Sequence, residues 1–334
     1  MSIRHIRIGT RGSALALAQT ELVEQALREK YPDIEFERII YKTEADRDNR
    51  KPLVEFGGTG VFVKKLERAL LDGEIDIAVH SAKDMPVMVS EGLCIAGVLP
   101  RDDVRDVLVY RKEYGNSVNE ICAPFTVGTG SPRRQSQLEA LYPHFTCVGI
   151  RGNVPTRLDK VRKGECDGVI LAAAGLRRLG LLNQQEFCYH FFSEEDMLPA
   201  GGQAIIAIEC RVSDAMVPLV RTISDDAAML ELLAEQQVLR LMNAGCHEPI
   251  AVRACVSESE ISIDAVRAII SENRDVKSML HVSGTEDEDD NFHMVVSEKQ
   301  IRKFQAFGDS IHRVCKKGKR SEWEWLATEV AAQL

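Results

Sequence analysis

The sequence predicts an α/β protein: two hinged α/β units followed by a smaller α+β unit. Three observations carry this reading. A strand–Gly–Thr–Ser–helix layout occurs at residues 8–19 and returns around Gly128, Thr129, Gly130 and Ser131. The apolar run 93–99 ends at Pro100, Arg101, Asp102 and Asp103, which reads as a crossover into a second unit. The run Leu198, Pro199, Ala200, Gly201, Gly202, Gln203 then precedes an apolar strand at 204–208, read as the return that a hinged pair requires. Near the end, residues 252–256, 261–266 and 276–282 alternate like a small antiparallel sheet.

Composition narrows the class. A chain of 334 residues exceeds one average domain, and two or three are expected. With 45% hydrophobic and 28% charged residues it can bury a real core. Arg4, His5 and Arg7 lie in a strand-like start, and no apolar run reaches membrane-spanning length, so a soluble, cytoplasmic protein is expected. Nine cysteines are scattered with no C-x-x-C pair, which argues against a disulfide framework and a structural zinc, and no metal is expected. The net charge of −9 speaks against nucleic-acid binding, so local basic clusters stand out.

In order, a strand at 6–8 meets Gly9, Thr10, Arg11, Gly12 and Ser13, and Ser13 is placed to cap a helix through Leu15, Ala18, Leu22, Ala26 and Leu27. A second strand spans 34–41. Residues 43–60 are charged and aperiodic, close on Gly57, Gly58, Thr59 and Gly60, and read as a mobile lid. Helical periodicity resumes over 61–71. Beyond the crossover, a strand at 125–127 leads to a helix with Ser131 as cap and Pro132 at its first position. A strand at 147–150 precedes Arg151, Gly152 and Asn153, with Asn153 as cap of a helix carrying Arg157. A strand is read over 167–173. Residues 225–242 form a long helix with Met229, Leu232, Leu233, Leu239 and Met242 on its buried stripe and Gly245 as its left-handed terminator. Residues 286–290 are a solvated acidic turn; 299–314 and 322–330 read as helices flanking a basic surface tract at 316–320.

The chemistry concentrates at Ile75, Asp76, Ile77, Ala78 and Val79, a strand that turns polar at once with His80, Ser81, Lys83 and Asp84 before Pro86. Residues just past the carboxyl end of a strand line the ligand crevice of open α/β sheets, and a carboxylate beside an ammonium there suits proton handling. Arg11, Arg133, Arg134, Arg151, Arg157 and Arg178 sit at loop-to-helix positions and together suit a carboxylate or phosphate cradle. Cys246 lies in a polar loop beside His247, a thiol suited to a covalent bond or to simple burial.

These runs resemble porphobilinogen deaminases: Gly9 to Ser13, His80 to Pro86, Ser131 to Gln135, Arg151 to Asn153, Leu198 to Ala200 and Ala244 to Ile250, in order over residues 3 to about 270. The resemblance implies two lobes of the type II periplasmic-binding-protein kind plus a small C-terminal domain. It divides the chain into residues 1–101 with 197–219, residues 102–196, and residues 220–334. It implies a monomeric transferase of haem biosynthesis that joins four porphobilinogen molecules head to tail, with loss of ammonia, into hydroxymethylbilane. It also implies a dipyrromethane primer, thioether-linked at Cys246.

By the same matching Asp84 is the catalytic carboxylate, stabilising positive charge on the pyrrole N–H as an azafulvene forms. Lys83, Asp84, Ser81, Thr129, Ser131, Arg133, Arg134 and Arg157 would hold the primer; Arg11, Ser13, Gln19, Arg151, Arg178 and Gln203 would hold substrate. Departures are Glu55 and Thr59, where the family usually has lysine; Ala204 and Ala244, where it has glycine; and Gln236, where it has arginine. Two rivals follow: a non-catalytic bilobal binding protein for a polycarboxylate, and a family member impaired in elongation.

Overall fold

The computed structural model describes residues 3–41, 60–121, 124–244, 248–268 and 311–334. The expected lid at 43–60 falls outside these apart from Gly60, as do Glu55, Thr59, the strand read at 276–282, the acidic turn at 286–290, Gly245, Cys246 and His247.

The chain opens with β1 (His5–Arg11) and α1 (Ala14–Lys30), where the Ser13 hydroxyl accepts from the Ala16 amide at 3.2 Å as the expected cap. The buried face of α1 is Gln19, Thr20, Val23 and Leu27, while Leu22 of the expected stripe is 40% exposed. The polar pair turns inward because it has partners there: Gln19 bonds Ser81 and Thr20 bonds Thr10. Next come β2 (Glu35–Tyr41), α2 (Gly60–Leu71), β3 (Ile77–Ser81) and β4 (Leu93–Val98). After the first crossover lie β5 (Asp106–Arg111), β6 (Phe125–Gly128), α3 (Pro132–Leu141), β7 (Phe145–Val148), α4 (Val154–Arg162), β8 (Gly168–Ala172), α5 (Ala173–Arg178) and β9 (Phe187–Phe191).

The chain then returns as β10 (Ile206–Arg211) and α6 (Met216–Arg221). It ends with α7 (Asp226–Leu241), β11 (Ile250–Val256), β12 (Glu260–Ala268), β13 (Ile311–Lys319) and α8 (Trp323–Gln333).

The repeat seen in the sequence is a repeat of topology. One sheet runs β2-β1-β3-β10-β4 and the other β7-β6-β8-β5-β9. In each, the fourth strand is antiparallel to both neighbours, and it is supplied by the crossover from the other lobe: β10 re-enters the first sheet, β5 begins the second. The hinge is therefore stitched into both sheets. Asp102 and Ala204 meet on the two crossovers through a backbone bond of 3.4 Å.

The third sheet, β11-β12-β13, corrects one expectation. Residues 311–314 are strand rather than helix. Ile261, Ile263 and Ala265 of β12 bury one face, and β13 completes it with Val314 while setting Arg313 against Asp264 at 2.9 Å. The tract from Lys316 to Lys319 continues this edge strand, where charged side chains discourage pairing with other chains. Leu233 of α7 is 41% exposed, whereas Glu231 and Glu235 are buried on the inner face. They turn inward because Arg101 reaches them at 3.0 and 2.6 Å. Asn243, at φ 50°, takes the left-handed position ending α7; the Asn243 and Ala244 amides donate back to Arg240 and Leu239.

Candidate active site

In the first lobe β1 and β3 are parallel neighbours, with β2 on the far side of β1, so their carboxyl ends flank a switch point in strand order. Ile77, Ala78 and Val79 are buried, which fixes the strand; Ala82–Asp84 then close a single 3-10 turn. That turn is clamped from the second crossover. The Ala82 amide donates to the Ile205 carbonyl at 3.0 Å, and a side chain at Gly202 (φ +72°) would sit 3.0 Å from the Lys83 nitrogen. Only glycine allows that approach. Ser81 Oγ accepts from Gln19 Nε2 at 2.8 Å, and Lys83 Nζ donates to Gln203 Oε1 at 3.4 Å. Lys83 and Asp84 are half-buried.

In the second lobe α3 starts at Pro132 as expected. The Ser131 side chain makes no capping bond, and its amide donates to Thr129 Oγ1 at 3.2 Å. Arg133 and Arg134 turn into the protein, 4% and 7% exposed. Both reach Asp106, at 2.8 and 2.7 Å, and their remaining terminal nitrogens donate to the carbonyls of Leu198 and Ile170. Asn153 caps α4 through the Thr156 amide at 2.9 Å, and Arg157 Nε donates to the Gly152 carbonyl.

The charges form one field across the two lobes. Burial, then the charge of Arg134, pushes the Lys83 ammonium down to about 8, against the pull of Asp84 and Asp106. Burial and the neighbouring Arg134 likewise bring Arg157 down to about 10, opposed by Asp84. Burial alone would raise Asp106; Arg133 and Arg134 overcome it and hold the carboxyl well below the usual range. Asp84 of the first lobe thus lies in the field of Lys83 beside it and Arg157 opposite.

Of the residues expected from sequence, Lys83, Asp84, Gln203, Arg133, Arg134 and Arg157 are brought into one electrostatic and hydrogen-bonded set, while Ser81 and Gln19 bond each other at the end of β3. Thr129 is buried and Arg11 half-buried at the ends of β6 and β1; Ser13 is committed to its cap. Arg151 is exposed but contributes to the field at Arg157. Arg178 lies in the last turn of α5, not at a helix start, and its Nη2 donates to the Ala204 carbonyl at 2.6 Å. Sequence reasoning missed Asp106, whose importance rests on partners distant in the chain. Among the described residues no group of three or more metal-ligating side chains occurs, and no helix is long and apolar enough to cross a membrane.

Two lobes of one topology, joined by paired crossovers and furnished with arginines at their strand ends, define a bilobal α/β protein suited to anionic ligands. The chain belongs to the porphobilinogen deaminase family. The model described as "Porphobilinogen deaminase, dipyromethane cofactor binding domain" matches residues 6–218, and that described as "Porphobilinogen deaminase, C-terminal domain" matches residues 229–299. A porphobilinogen deaminase of Lachnospira eligens is 40% identical over 289 residues, covering 85% of this chain and 95% of that protein. One of Streptococcus sanguinis is 40% identical over 264 residues, covering 79% and 86%. Among solved structures, the periplasmic VFT2 domain of Bordetella pertussis BvgS matches with a TM-score of 0.39 and 17% identity, covering 70% of this chain and 90% of that one. At that score the fold assignment rests on the sheet topology itself.

Proposed function

We propose that this chain polymerises four porphobilinogen molecules head to tail into hydroxymethylbilane, releasing ammonia, with Asp84 as the catalytic carboxylate. Membership of the family supports the reaction. The observation that supports the residue assignment is Asp84 in the turn after β3, in the electrostatic field of Lys83 of its own lobe and of Arg157 of the other. A carboxylate fixed there stabilises the positive charge that grows on a substrate pyrrole N–H as ammonia leaves, and it exchanges that proton when the new bond forms.

The residues fit a polycarboxylate primer. Among the described residues Arg134 Nε is a buried donor with no hydrogen-bond acceptor, and the acetate and propionate groups of a dipyrromethane would provide one. Lys83, Ser81, Thr129, Ser131, Arg133, Arg134 and Arg157 would hold it, with Cys246 as its anchor. Bound there, the primer supplies the nucleophilic pyrrole carbon on which the chain grows. Arg11, Ser13, Gln19, Arg151, Arg178 and Gln203 would receive substrate carboxylates. We further assign residues 1–101 with 197–219 to one domain, 102–196 to a second and 220–334 to a third, and infer a monomer in the cytoplasm that binds no nucleic acid.

Two measurements test this. The intact mass of the purified protein should exceed the chain mass by two linked pyrrole units, and Cys246→Ser should lack the excess. Asp84→Asn should keep its fold and lose at least about a hundredfold in porphobilinogen turnover. Normal turnover in that variant would sink the mechanism.

A further inference from the structure

Asp106 is the first residue of β5, at the point where the first crossover enters the second lobe. It has no exposure at all, and it binds three donors from two other elements. Arg133 Nη2 and Arg134 Nη2 come from α3 at 2.8 and 2.7 Å; Gln203 Nε2 comes from the second crossover at 3.0 Å. Gln203 is itself fully buried, and its other end accepts from Lys83 at 3.4 Å, so one carboxylate connects the cations of both lobes.

We infer that Asp106 is a positioning residue for the reaction: it orients Arg133 and Arg134 and, through Gln203, sets the charge and place of Lys83. This rests on the porphobilinogen deaminase reading above. Lys83 and the two arginines repel one another in a buried setting. One carboxylate among them lowers that repulsion and leaves a net positive site, as an anionic guest requires. Taking the Nη2 groups also fixes the guanidinium planes, which leaves Arg134 Nε as a buried donor without a hydrogen-bond partner among the described residues. Among the described residues, those facing Lys83 include Arg134 and Arg133 from α3, Asp84 from its own turn, Asp106 from β5 and Gln203 from the crossover. Removing the negative charge of Asp106 makes protonation of Lys83 harder.

The test uses the full chain carrying its primer, as wild type, Asp106→Asn, Asp106→Asn with Gln203→Glu, and Gln203→Leu. Thermal unfolding, intact mass and porphobilinogen turnover from pH 6 to pH 10 are read for each. Asp106→Asn is expected to raise KM about tenfold, to lower the primer-bearing fraction, and to move the alkaline limb down by about one pH unit. The double variant, which returns a carboxylate beside Lys83, should restore the limb at least halfway. A variant that only melts earlier, with KM, primer fraction and pH profile unchanged, overturns the inference. If Asp106→Asn does not fold, Gln203→Leu decides. It keeps Asp106 but cuts the link to Lys83, and an unmoved alkaline limb there also overturns the inference. An inactive, unmodified wild type would instead defeat the underlying reading, so the two failures are distinct.

Discussion

In each lobe the antiparallel strand arrives from across the hinge, and in each it carries a carboxylate with no exposure: Asp106 on β5 and Glu209 on β10. Asp106 gathers two guanidinium groups and an amide. Among the described residues Glu209 bonds through its side chain to His80 Nε2 at 3.1 Å, and its Oε1 finds no hydrogen-bond partner. The buried carboxylate of one returning strand is thus a fully bonded charge centre at the strand's first residue, and that of the other a half-satisfied one at its fourth. The second lobe is a fixed cationic floor, whereas the first presents Lys83 and Asp84 on a short turn held mainly by backbone contacts.

The contrast is most easily broken at Asp106. Replacing it by leucine leaves two buried guanidinium groups facing each other, and should cost about 3–5 kcal/mol by urea titration. A cost below about 1 kcal/mol would mean that water already shares these charges. Next comes pH. With Lys83 brought down to about 8 in the folded protein from an ordinary 10.5, its positive charge falls about tenfold between pH 7 and pH 9. Affinity for a carboxylated ligand that depends on it should fall accordingly. The stability contribution has the opposite sign. Between about 8 and 10.5 the unfolded chain holds the extra proton, so this group makes folding more favourable as pH rises. Parallel titrations of binding and melting would expose the two slopes, and slopes of the same sign would contradict the assignment.

Smaller effects sharpen the other half of the comparison. Glu209→Gln keeps the shape and removes a charge paired with His80 alone among the described residues, so its cost should stay within about 1 kcal/mol, well below that of Asp106→Leu. A loss as large as that at Asp106 would erase the distinction between the lobes. Smallest is Ala204→Gly at the hinge. Ala204 holds φ 72°, a left-handed conformation costing a non-glycine residue about 1 kcal/mol, but its methyl is buried against Val104 and Ala174. Losing that methyl forfeits about 0.8 kcal/mol, so the net change should be under about 0.5 kcal/mol in chemical denaturation. A large stabilisation would show that the methyl packs poorly and that strain dominates the crossover.

Local signals carried a great deal. The caps at Ser13 and Asn153 and the stop at Pro86 were legible because each depends on residues within one turn of itself. So was the bilobal plan, since a repeated strand–loop–helix unit and two crossovers leave a linear trace. The inward face of α1 was misjudged because Gln19 and Thr20 are buried by partners outside the helix, which no periodicity of apolar residues records. The helix expected at 311–314 failed for a related reason: a strand edge offered by β12 outweighed the local pattern. The arginines were recognisable as a set, but their division into buried and exposed members was not.

By itself, then, the sequence determined the elements, the hinge and the chemical character of the strand ends, all written in neighbouring residues. Only the tertiary structure decided that Arg133 and Arg134 share Asp106, that Gln203 joins that carboxylate to Lys83, and that Arg178 belongs to the hinge. Those bonds join residues brought together by the crossovers. Their strength comes from burial, which no stretch of chain possesses until the lobes have closed around it.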